Sequence, residues 1–151
     1  MSDVPSGQAA RGQVKVDLAL RPEKPGLALL TATNSGSSSL TVVGWPRLSF
    51  TTTAGEPAEV VVEQVPLPQE PRPIELRPGQ TAFAGVRLLV DDRIRTAAIG
   101  SVVAQLDGTE EVTVNIISTT GEPLTNTGRL KARDARIGTL QPTPEDVLVG
   151  L

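Results

Sequence analysis

Apolar and polar residues alternate along much of this chain with a period of two, the spacing that sends successive side chains to opposite faces of a β-strand. Val14, Val16, Leu18 and Leu20 fall on one side, with Lys15 and Asp17 on the other. That pattern predicts a half-buried strand. Pro22 and Pro25 then mark a turn, after which Ala28, Leu30 and Ala32 share one face and Leu27 and Leu29 the other, so the second strand is expected to be covered on both sides. Asn34-Ser35-Gly36 supplies residues that accept turn or left-handed conformations at little steric cost. In the third run Leu40, Val42 and Leu48 are candidates for an inward face, and Gly44-Trp45-Pro46 interrupts the alternation as a bulge or kink beside a large ring would. The run resumes over Leu48 to Thr53. The turn Ala54-Gly55-Glu56-Pro57 is expected to close a hairpin with a fourth strand over Ala58 to Val65, in which Val60 and Val62 oppose Glu59, Val61 and Glu63.

Pro66, Pro68, Pro71 and Pro73 break that pattern. Proline lacks the amide donor a sheet ladder needs, so this stretch is read as an extended connection along an edge or between sheets, rather than as a polyproline surface for a partner. Ile74 and Leu76 should rejoin the sheet, Pro78-Gly79 is a turn, and Ala82, Ala84, Val86, Leu88 and Val90 set out the clearest long strand. Residues 91–98 read as a loop or short helical turn. Ile99 to Leu106 and Glu111 to Ser118 form a hairpin candidate around Asp107-Gly108. Thr143-Pro144-Glu145 resembles a helix start with only a short run after it. Taken together, the turn-separated runs predict an all-β, immunoglobulin-like antiparallel β-sandwich of about seven to nine strands. The sandwich is expected over residues 13–141, with a polar linker over 1–12 and a tail or short helical turn over 142–151.

Composition narrows the chemistry. The chain has 151 residues, enough for one domain with a sizeable core, and its 14 Gly and 13 Pro leave little room for long helices. It contains no Cys, no His and no Tyr. Thiol nucleophiles, disulfides, cysteine-held metals and any Ser-His-Asp arrangement are therefore unavailable, and an enzyme would have to be built from Asp, Glu, Lys, Ser and Thr. A carboxylate-pair hydrolase using members of Asp91, Asp92, Asp107, Glu110 and Glu111 would need two of them to converge in one cleft within about 5 to 10 Å. Asp91-Asp92 lacks the spaced ligand series and closing Glu of a calcium loop, so a solvated turn is the favoured reading. No catalytic, metal-binding or cofactor-binding residue is assigned, and no cofactor is expected. The formal net charge of −3 argues against a general attraction to nucleic acid or anionic membrane, and no apolar stretch approaches the roughly 20 residues a membrane-spanning helix needs.

Two local features are candidates for contact. Strand periodicity sets Arg129, Lys131 and Arg133 on one face with Leu130 and Ala132 opposite, a basic stripe that could meet an acidic protein face or an anionic envelope polymer. An ordinary solvated face is the commoner cause of such a pattern. Trp45, the only Trp, reads as a core plug beside apolar neighbours; as the alternative, it would be the centre of a small-ligand or sugar carrier.

Asn34-x-Gly36, the apolar run into Gly44-Trp45-Pro46 and then Leu76-x-Pro78-Gly79-x-x-Ala82 resemble the motifs of an actinobacterial family of secreted and lipid-anchored domains of unknown function. The resemblance covers about residues 14 to 140 and implies an immunoglobulin-like sandwich whose motif residues are structural. Family members commonly hold a disulfide, but Leu40 stands where the first Cys is expected, so no bridge carries over. The resemblance brings no catalytic residue. It implies an extracytoplasmic chain, with the segment from Met1 to about Gly12 as a linker left when an export signal or anchor is removed, although Met1-Ser2-Asp3-Val4 itself lacks the features of a signal peptide. The expected role is a non-catalytic binding or structural module of the cell envelope.

Overall fold

The computed structural model describes residues 13–20, 27–52, 54–58, 60–67, 69–89, 97–106, 109–117, 131–132, 134–145 and 147–148. Among these there is no helix. Twelve strands follow one another: β1 (Val14–Leu20), β2 (Leu27–Asn34), β3 (Leu40–Val42), β4 (Arg47–Thr52), β5 (Val61–Gln64), β6 (Ile74–Leu76), β7 (Thr81–Leu89), β8 (Ala97–Gln105), β9 (Val112–Thr113), β10 (Asn115–Ile117), β11 (Lys131–Ala132) and β12 (Asp134–Ile137). They form an all-β, sandwich-like fold.

The largest sheet runs β10-β1-β2-β7-β12-β5, a second contains β11-β8-β4 with β9 also on β8, and β3 and β6 pair as a two-stranded ribbon. At the centre of the large sheet, β2 is antiparallel to both β1 and β7, with Leu30 opposite Leu18 on one side and Ala84 on the other. The period-two pattern explains this centre directly: Val14, Val16, Leu18, Ala28, Leu30, Ala32, Ala82, Ala84, Val86 and Leu88 are all buried, and all face the same core. Small residues at Ala28, Ala32, Ala82 and Ala84 let Phe50, Val102 and Leu106 of the opposing layer reach in.

The edges depart from an antiparallel sandwich. β10 lies parallel to β1, and β5 lies parallel to β12. The cause is the same at each edge: a strand begins as a hairpin in one sheet and then crosses to the other. β4 and the chain after it close a short hairpin, with the bridge Thr51↔Pro57, the Thr52 N–H on the Glu56 carbonyl at 2.7 Å and the Ala58 N–H on the Phe50 carbonyl at 2.9 Å, before β5 leaves for the large sheet. The expected hairpin is thus present but ends near Ala58 instead of running on to Val65, and β8 pairs the other edge of β4, with Phe50 opposite Val102. Likewise the second expected hairpin lasts only through β9, where Thr113 faces Val103, and after Val114 the chain crosses to become β10. Such corners divide runs that read as single strands, so the described residues hold twelve strands instead of about seven to nine.

Candidate functional site

Asn34 ends β2 and is 1% exposed. Its carboxamide donates from Nδ2 to the carbonyls of Ser38 and Leu76, each at 2.8 Å, and accepts at Oδ1 from the Gly36 N–H at 2.9 Å. Its main chain is used as well: the N–H donates to the Gln80 carbonyl at 2.9 Å and the carbonyl accepts from the Gly79 N–H at 2.8 Å. An Asn side chain has two N–H donors and one carbonyl oxygen, and here both kinds of group are taken by the protein's own backbone. Gly79 has φ +87, a conformation that side-chain-bearing residues avoid, and it lets the turn after Pro78 fold its N–H toward Asn34. Ala82 then enters β7 fully buried, opposite Ala32. The residues Asn34, Gly36, Leu76, Pro78, Gly79 and Ala82, separated by some forty positions in sequence, therefore belong to one clamp joining β2, β6 and β7.

Gly44-Trp45-Pro46 belongs to a second clamp. The Gly44 carbonyl accepts from Leu140 N–H at 2.8 Å, with Gly44 itself at φ +85. Trp45 is half-buried against the core, and its Nε1–H donates to the Val65 carbonyl at 2.9 Å. The core-plug expectation describes this ring well, except that one side of it reaches the surface. Around it, Thr139 is fully buried and donates from its hydroxyl to the Gln69 carbonyl at 2.7 Å, while Gln141 Nε2 donates to Thr139 Oγ1 at 2.8 Å. Gly138 passes so close to the proline-rich connection that a Cβ there would stand 2.5 Å from the Leu67 carbonyl oxygen. Sequence reading missed Gly138, Thr139 and Gln141. The one local signal was a Gly directly after a strand-like run, which marks a close backbone approach as readily as a turn.

A cavity of about 330 Å³ lies between β6, the start of β7 and Pro142, with Glu75, Gln80 and Thr81 as its polar lining and Phe83 as its ring. Glu75 is well exposed and faces Arg77 at 3.9 Å, a long surface pair worth little. Among the described residues no group of three or more acidic, His or Cys side chains is placed to hold a metal ion. Of the carboxylates considered for hydrolysis, Glu110 and Glu111 are exposed, whereas Asp91, Asp92 and Asp107 lie outside the described residues. Arg129 and Arg133 of the basic stripe also lie outside them, and Lys131 is described only through its backbone in β11.

Residues 8–138 match the family model described as Domain of unknown function (DUF4232). The chain belongs to this family. No curated protein and no solved structure matches the chain. Both clamps just described lie almost wholly within the DUF4232 match, with only Thr139, Leu140 and Gln141 beyond its end. The family description assigns no activity, so the chemistry of the domain rests on its own residues.

Proposed function

We propose that this DUF4232 domain is a non-catalytic, extracytoplasmic module of the cell envelope that works by binding or by spacing. The observation that carries the reading is the use made of the motif residues. Asn34, the most polar of them, has its carboxamide turned wholly onto its own backbone, and Trp45 has its only donor on Val65, so both serve the fold and neither offers a group to a substrate. A frame held together in this way leaves binding to the surface and to strand edges. The extracytoplasmic setting is supported by the resemblance of the motifs to secreted and lipid-anchored domains. The partner is a protein or an envelope polymer.

The test is a pull-down from envelope extract with the tagged chain, run beside the triple variant Arg129→Ser, Lys131→Ser, Arg133→Ser. The expected result is a partner held by the parent and lost by the folded variant, which would make the basic stripe the contact. A partner held by both acquits the stripe and keeps the module. Turnover of a small-molecule substrate by purified protein, abolished by a carboxylate substitution, would sink the non-catalytic reading.

A further inference from the structure

Among the described residues β5 is the last strand of the large sheet, paired there on one side only. Its Val65 end fixes which backbone groups face where. The Val65 N–H donates to the Ile137 carbonyl at 3.0 Å, and in a parallel ladder alternate residues turn their N–H and C=O to the same neighbour. Val61, Glu63 and Val65 thus address β12, while Val62 and Gln64 turn their N–H and C=O outward. The same strand carries Val61 at 69% exposure; among the described residues the other exposed large hydrophobic side chain is Val43, at 38%. Glu63, on the same face as Val61, accepts from Arg136 Nε at 2.9 Å, and its side chain keeps 59% exposure with further lone pairs available. The strand is short and bracketed by Pro57 and Pro66, so what can add to it is a short segment in defined register.

A second copy fits this edge poorly. The antiparallel register that uses both outward residues sets Val62 against Gln64 and therefore Glu63 directly against Glu63, and like charges opposite one another in a sheet are destabilising. We infer that the free edge of β5 is a strand-addition site for a different chain, an extended segment with a Lys or Arg opposite Glu63 and an apolar residue opposite the Val61 side. Backbone bonds to Val62 and Gln64 hold the segment, and the carboxylate and the exposed valine select its sequence. The inference rests on reading the domain as a binding module and names the kind of partner.

It is tested on the full chain, isotope-labelled and titrated with acetyl-Val-Thr-Lys-Thr-Val-amide, beside the same peptide with a central Glu. Saturable amide shifts confined to Val61–Val65 are expected with the Lys peptide. Gln64→Pro removes an outward donor without touching the bonds to β12 and should raise the dissociation constant about tenfold or more. Glu63→Lys should invert the preference between the two peptides. The site is refuted by no saturable shift at millimolar Lys peptide, by equal response to both peptides, by shifts that survive in folded Gln64→Pro, or by self-association through residues 61–65. A partner from the envelope pull-down that is still held by folded Gln64→Pro would remove this site while leaving the module reading in place.

Discussion

The Asn34 clamp and the β5 edge use the same backbone chemistry in opposite ways. At Asn34 a buried carboxamide and two main-chain groups close on Ser38, Leu76, Gly79 and Gln80, so that the end of β2, the end of β6 and the turn after it are joined by direct hydrogen bonds. At β5 the outward N–H and C=O of Val62 and Gln64 meet no further strand of their sheet among the described residues, and Val61 stands largely in solvent. The difference separates what holds the domain from what can act. Motif residues concentrate at the clamp, where losing a partner strands a buried polar group; the edge is tolerant in stability and selective only toward what lands on it.

The largest effect should come from opening the clamp. Asn34→Ala leaves the buried Leu76 carbonyl, the Ser38 carbonyl and the Gly36 N–H without their side-chain partner, and each orphaned group costs about 1 to 3 kcal/mol. A total loss of about 3 to 5 kcal/mol is expected, a large share of the roughly 5 to 15 kcal/mol that holds a domain together. Asn115→Ala gives the contrast, because its carboxamide bonds Asp17 at 3.0 Å on the exposed face of the sheet and should cost under about 0.5 kcal/mol. Denaturant midpoints for the two variants compare them directly. Equal losses would mean that Asn34 is no clamp.

How far such a clamp can be read from sequence depends on how local its parts are. The turn residues Asn34-Ser35-Gly36 and Pro78-Gly79 were legible, as were the inward faces of β1, β2 and β7, because turns and period-two burial are written in neighbouring residues. That the two turns meet was not legible: Asn34 Nδ2 reaches Leu76 across 42 positions, and no periodicity encodes such a contact. The sheet-switching corners escaped for a related reason. The run from Val112 to Ile117 alternates as one strand, yet Val114 bonds back to Val102 while Ile116 lies beside Leu18 in the other sheet. For the site, the motif residues are short-range signals that sit at turns and strand ends, whereas the β5 edge went unread because exposure and strand order are properties of the assembled sheet.

A second way to press the comparison is to crowd the other clamp. Gly138→Ala would bring a Cβ to 2.5 Å from the Leu67 carbonyl oxygen, and since that atom is backbone, the proline-rich connection must shift. A loss of about 2 to 3 kcal/mol is expected, in the range for overpacking a close contact. Trp45 supplies an independent readout, because its Nε1–H is held by Val65 two residues before Leu67. Its fluorescence should change in the folded variant. A Gly138→Ala protein with parental stability and parental Trp45 emission would show that the connection gives way freely.

The smallest effect belongs to the edge, and there a near-zero result is the informative one. Val61→Thr keeps the β-branched shape that suits a strand and swaps a methyl for a hydroxyl at a side chain already 69% exposed. Little apolar area is lost from burial, so the midpoint should move by less than about 0.5 kcal/mol, whereas the affinity for a basic-centred strand should fall because Val61 supplies its apolar contact. A cost above about 1.5 kcal/mol would require Val61 to be buried in solution, and that would make the β5 edge already occupied. Repeating the measurement over a hundredfold range of protein concentration decides between occupants: a second copy makes the cost depend on concentration, and a cover from the same chain does not.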